Sequence, residues 1–132
     1  MFSFELLRNA RDLIKDPVNW CQNEWAVNDK KEPVNPSHPE ARQWCAMGAF
    51  DKVWLEACLS DPVIPYIIRQ NARIARDNKA VELFGNEIST VNDNMGHDAI
   101  LKVFDAAIRE LEVISDSEAW FLQQTDYAFN ED

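Results

Sequence analysis

The chain has no apolar run approaching the length of a membrane span, only two histidines, three cysteines and a shortage of positive charge. Each shortage excludes something. A helix that crosses a bilayer needs about 20 predominantly apolar residues, and no stretch here supplies them. Thirteen Lys and Arg stand against 23 Asp and Glu, for a formal net charge of -10. Phosphate backbones are held by basic surfaces, so neither direct nucleic-acid binding nor attachment to an anionic membrane is expected. The same balance suits a basic partner or mimicry of a nucleic-acid backbone, beside plain solubility. Cys21, Cys45 and Cys58 are odd in number and form no CxxC pair, which reads as reduced thiols in a cytosol. The opening residues carry charge too early for a secretory apolar core, so a cytoplasmic protein is expected. No cofactor is expected.

What is present is enough for one domain. The 132 residues are 46% hydrophobic and include five tryptophans, so the chain can bury a core without disulfide or metal. Phe4, Leu7, Ala10 and Ile14 fall at helical spacing, and Asp16-Pro17 stops that helix. A proline-bearing loop follows, with Trp20 and Trp25 as its expected anchors on the core. Ser37 and Glu40 make an S-x-x-E capping box with Pro39 in the first turn, predicting a helix from there to about Leu59. Asp61-Pro62 predicts the start of a third helix, with Gly85 as its stop. Ile88 to Val91 is the one strand-like piece of a polar connection, and Ile100, Leu101, Phe104, Ala107, Ile108 and Leu111 mark a last helix. The expected architecture is all-α: a compact bundle of four to five helices over residues 1–114, around a central, mostly buried helix at about 38–59. Residues 115–132 form an acidic-aromatic C-terminal extension.

Four groups of side chains carry candidate chemistry. Cys45 with His97, oriented by Asp93 or Asn92, has the roles of a thiol hydrolase or transferase. Cys-Ala-x-Gly-Ala on a helix is equally what close backbone contact requires, and packing is the favoured reading. Asp93, His97 and Asp98 match no strong metal template, so no metal site is assigned. Arg69, Arg73 and Arg76 form a stripe suited to an anion or, preferentially, to the chain's own acids such as Glu82 or the tail. From Glu110 onward there are seven acids and no Lys or Arg, interleaved with Trp120, Phe121, Tyr127 and Phe129. Such a pattern suits docking on a protein partner.

Trp20, Ala26, the stretch PVNPSHPEARQWCAMGAF, the Asn92-Asp93 turn and the helix AILKVFDAAIREL together resemble a family of small bacterial and phage proteins known only as a domain of unknown function. Its members carry a W-C-A-x-G-A helix segment, here Trp44 to Ala49, and an Asn-Asp turn before a last helix with an Asp-x-Ala-Ile stretch, here Asp105 with Ala107-Ile108. The resemblance spans about residues 5–112. It implies a compact helical fold and brings no activity, so no catalytic role is transferred. The functional expectation is therefore a small acidic accessory or inhibitor, of phage type, that acts by binding another protein. A cysteine hydrolase and an acidic nucleic-acid mimic are the alternatives.

Overall fold

The computed structural model describes residues 1–120 and 123. The chain folds as an all-α bundle in which α1 (Ser3–Ile14) packs against α2 (Ala46–Ser60), α3 (Tyr66–Phe84) and α5 (His97–Val113). α1 buries Leu6, Leu7, Ala10 and Ile14 on one face, the 3–4 residue spacing that a 3.6-residue period aligns. Facing it, α5 buries Ile100, Val103, Phe104, Ala107, Ile108 and Leu111. Fully burying a Leu, Ile or Phe side chain contributes roughly 1.5–3 kcal/mol. The stripes of α1 and α5 therefore carry much of the stability.

Asp16 ends α1 and starts a short turn, its Oδ1 accepting the Val18 N–H at 3.0 Å ahead of the 3-10 segment Pro17–Asn19. Residues 20–45 are then knitted by backbone bonds rather than wound into a helix. β1 (Ala26–Val27) pairs antiparallel with β2 (Gln43–Trp44), aligning Ala26 with Trp44. Trp20 pairs with Trp44 from the other side, in parallel sense.

The helix predicted for about 38–59 begins at Ala46, and the cause is this ribbon. The peptide joining Trp44 to Cys45 is clamped on both edges: Cys21 N–H donates to Trp44 O at 3.1 Å, and Cys45 N–H donates to Trp25 O at 3.2 Å. A peptide held in extended pairing cannot also sit in a helix, so Cys45 becomes the last extended residue, with φ -77° and ψ 175°. The predicted capping box does not form. Ser37 N–H is taken by Asn35 Oδ1 at 2.9 Å, and Glu40 N–H by His38 Nδ1 at 3.0 Å. These are local side-chain turns that compete with helix initiation. α2 buries Ala46, Gly48, Ala49, Phe50 and Val53, all in its first half, and the helix that meets the other three is α1, not α2.

α3 begins at Tyr66 rather than at Pro62, because Asp61 Oδ1 accepts from Val63 N–H at 3.2 Å in a turn and Pro65 supplies the N-cap position. It stops where expected, at Gly85, with φ +68°, a left-handed conformation that glycine adopts without steric cost. Ile88 to Val91 is helical, not extended: α4 (Ile88–Thr90) runs into a π-type turn, Val91–Met95. Ile88 and Val91 are both buried, and three-residue spacing turns them to one side only in a helix. After Ile114, residues 115–120 are helical again.

Candidate functional site

The residues singled out in sequence converge in part on one knot, centred on Asn92. The residue is 2 % exposed, and its side chain uses both ends. Oδ1 accepts Trp20 Nε1–H at 2.8 Å and the Ala46 N–H at 3.0 Å. Nδ2 donates to Cys21 O at 3.1 Å and to Asp93 Oδ1 at 2.9 Å. Asp93 Oδ1 also accepts Asn23 N–H at 2.8 Å, and Gln22 Nε2 donates to the Asn92 and Asp93 carbonyls. One amide thus ties the 20–25 loop, the first residue of α2 and the turn before α5. Asn92 and Asp93 bind these distant segments, while the N-cap position of α5 is Gly96, with no side-chain bond.

Cys45 borders the knot. It is buried, and its Sγ accepts Gly48 N–H at 3.3 Å, so the sulfur caps α2. Cys45 shares a small cleft of about 70 Å³ with Asn23, Glu24, Trp25, Asn92 and Asp93. Burial pushes its thiol pKa up. The Gly48 and Met47 amides oppose the rise, and the Asp93 and Asp51 carboxylates add to it. A thiol held protonated is a poor nucleophile.

His97 faces elsewhere. Its Nε2 lies 2.7 Å from Ile14 O, and its ring tilts against Trp20 with centroids 5.1 Å apart. A carbonyl can only accept, so Nε2 carries the proton and closes an orphan carbonyl of the last turn of α1. Cys45 and His97 share no hydrogen bond: one sulfur is committed to Gly48, one ring nitrogen to Ile14. Among the described residues, no three His, Cys, Asp or Glu side chains are grouped to hold a metal ion.

The arginine stripe is paired within the chain. Arg69 meets Asp51 at 3.2 Å, Arg73 meets Asp77 at 3.6 Å, and Arg76 meets Asp77 at 3.0 Å. Arg69 and Arg76 also lie over the Phe50 ring, at 5.5 and 4.7 Å. The acids involved are Asp51 and Asp77; Glu82 pairs with Lys79 instead.

In the C-terminal segment Trp120 is 62 % exposed, while Phe121, Tyr127 and Phe129 lie outside the described residues. Glu118 is buried, and sequence reasoning missed it. Its carboxylate accepts Ser3 N–H at 2.6 Å, Ser3 Oγ–H at 2.5 Å and Asn71 Nδ2–H at 2.9 Å. No local signal marks it, because Ser3 is 115 residues away in sequence.

Also missed was a groove of about 460 Å³ between α1 and the second half of α2. Leu13, Val53 and Ile64 give it an apolar floor, and Asp12, Glu56 and Asp61 line its rim with Lys52. Next in sequence to its lining residues Ser60 and Ile64, Leu59 is 75 % and Val63 78 % exposed. Their signal was legible: apolar residues continue past the point where the α2 core face ends.

Among the described residues no helix is long and apolar enough to cross a membrane. No curated protein and no solved structure matches the chain. A family model does match, over residues 4–110, the span that contains the Trp-Cys-Ala-Met-Gly-Ala segment, the Asn92 knot and α1 with most of the three helices packed on it. On that match, the chain belongs to the family of unknown function DUF6197.

Proposed function

We propose that the protein is a small acidic accessory factor that acts by binding another protein, and that the groove beside α2 receives the partner. The observation that carries this reading is a groove lined by both apolar and acidic side chains, with the exposed Leu59 and Val63 next in sequence to its lining residues Ser60 and Ile64. Its occupant is a basic segment of a partner protein that carries an apolar side chain. Asp12, Glu56 and Asp61 line the groove with Lys52; Glu56 pairs with Lys52 at 2.6 Å and Asp12 lies 3.6 Å from Arg11, and the chain as a whole carries -10. Complementary potential of this kind steers association and selects partners. The exposed Leu59 and Val63 supply the apolar contact that a polar rim surrounds in protein interfaces. The exposed Trp120, outside the groove lining, offers an aromatic anchor in the C-terminal segment.

The hydrolase reading gains no support from the site, since Cys45 caps a helix and His97 caps another. The test is capture from lysate by immobilised full-length protein, in parallel with Leu59→Lys and with Val113→Lys as a remote surface control. A partner held by wild type and by the control, lost by Leu59→Lys and released by moderate salt, is the expected result. A partner held equally by all three, or no partner at all, overturns the assignment of the groove.

A further inference from the structure

Two of the three thiols are brought together by the ribbon. Trp20 and Trp44 are paired in parallel, and Cys21 and Cys45 are the residues that follow them. Cys21 N–H donates to Trp44 O at 3.1 Å, fixing that register. Parallel neighbours lie roughly 5 Å apart with side chains on the same side. A disulfide accepts Cα separations of about 4.4–6.8 Å. From Cys21 the chain then crosses to the other edge of the same peptide, where Trp25 O accepts Cys45 N–H. The 21–25 loop therefore passes around Cys45, and Asn23, Glu24 and Trp25 line the cleft beside that residue. Cys58 is on α2, thirteen residues after Cys45.

We infer that Cys21 and Cys45 are a thiol-modification site that closes into an intrachain disulfide when a small-molecule disulfide is present. Cys21 is partly exposed and Cys45 buried, which sets the order. The Cys21 thiolate attacks one sulfur of the small disulfide, and a mixed disulfide forms as one small thiolate leaves. Cys45, having given up its proton to solvent, then attacks the Cys21 sulfur and the second small thiolate leaves. Two protein thiols and one small disulfide thus become one protein disulfide and two small thiols, with the small disulfide reduced by two electrons. Sγ of Cys21 gives up Glu24 O, and Sγ of Cys45 gives up Gly48 N–H. The product ties the 20–25 loop to the start of α2, alongside the ties Asn92 already makes. Burial, then the neighbouring Cys45, pushes the Cys21 thiol up to about 12. Oxidation is therefore slow at neutral pH and speeds up about tenfold per pH unit while the thiolate fraction limits it. The site suits sustained oxidising conditions rather than fast signalling.

The test treats the native full chain with oxidised glutathione at neutral and mildly alkaline pH, then measures intact mass and maps tryptic peptides under non-reducing conditions. Trypsin places Cys21, Cys45 and Cys58 in separate peptides. The expected product has lost two hydrogens, keeps no glutathione, links the Cys21 and Cys45 peptides and leaves Cys58 outside the link. It reverts with dithiothreitol and has a higher urea midpoint than the reduced chain. A stable glutathione adduct on Cys21 with Cys45 free, a link that involves Cys58, a link that forms only in urea, or no modification at all overturns the inference. None of these readouts needs a variant to fold.

Discussion

The carbonyl oxygen of Trp25 occupies the place where Gly48 would carry a side chain: a Cβ there would lie 1.8 Å from that oxygen and 2.8 Å from its carbon. The glycine is required by close approach rather than by an unusual φ. The small residues after Cys45 do form a packing seam, but the seam is helix against loop. The backbone of Trp25 does the pinning, although the residue as a whole is half exposed. Gly48→Ala is expected to cost about 3 kcal/mol, at the upper end for overpacking, because a backbone atom held by Cys45 N–H cannot rotate away. Urea denaturation would show it. A Gly48→Ala midpoint equal to wild type would mean the loop moves freely, and would dissolve the clamp on the 44–45 peptide.

Asn92→Ala removes four bonds at once and leaves Trp20 Nε1, the Ala46 amide and Cys21 O without their partner. Stranding buried donors costs about 1–3 kcal/mol each; with partial relaxation a loss of about 3 kcal/mol is expected. Asn92→Asp separates geometry from charge. It keeps Oδ1 but places a second oxygen where Nδ2 now donates to Asp93 Oδ1 at 2.9 Å. Repulsion would raise the folded-state pKa of the new carboxyl, so the contribution of its neutral form is present in acid and lost as pH rises. Urea midpoints at mildly acidic and neutral pH check this: the deficit relative to wild type should shrink in acid. A deficit independent of pH would mean that Asn92 serves through shape alone.

How much of this was legible follows from the range of the interactions. The stripes of α1 and α5 were read correctly because helical periodicity is local, and so was the Gly85 stop, since φ > 0 favours glycine. The start of α2 was misplaced because Ser37 and Glu40 form a sound local signal that loses to pairing among Trp20, Ala26 and Trp44. Those contacts join residues 18 and 24 positions apart, and no window sees them. The Asn92-Asp93 turn was singled out in the sequence, yet its partners at 20–23 and 46 are set by the fold. Arginine pairing was foreseen in kind but not in partner, because Asp51 and Asp77 are chosen by the packing of α2 on α3 and by helix register.

Removing residues 115–132 should destabilise the bundle by about 2 kcal/mol, because Glu118 accepts from Ser3 N–H, Ser3 Oγ–H and Asn71 Nδ2–H in a buried position. The Ser3 amide is one of the free donors at the start of α1, where a carboxylate is electrostatically favoured. Glu118→Ala in the full chain should reproduce most of the loss, and Glu118→Gln part of it. Thermal unfolding of the three variants compares them directly. A truncated chain as stable as wild type would make 115–120 an extension without structural weight.

Stability should fall at alkaline pH more steeply in wild type than in a chain lacking the knot thiols. Cys21 moves from 9.0 to about 12 on folding, and Cys45 is also raised, burial being the largest cause in both. Above pH 9 the unfolded chain releases these protons while the folded chain keeps them. The unfolded state thus binds fewer protons, and the free energy of unfolding declines as pH rises. The contribution is complete below about 9 and is lost progressively toward 12, at up to about 1.4 kcal/mol per pH unit for each thiol. Lysines and tyrosines titrate in the same range, so the informative quantity is a difference. Urea midpoints of wild type and Cys21→Ser, taken at neutral pH and at successive steps above pH 9, should draw together as pH rises. Parallel curves would mean that Cys21 is as well solvated in the fold as in the unfolded chain, and that the 21–25 loop does not close over it.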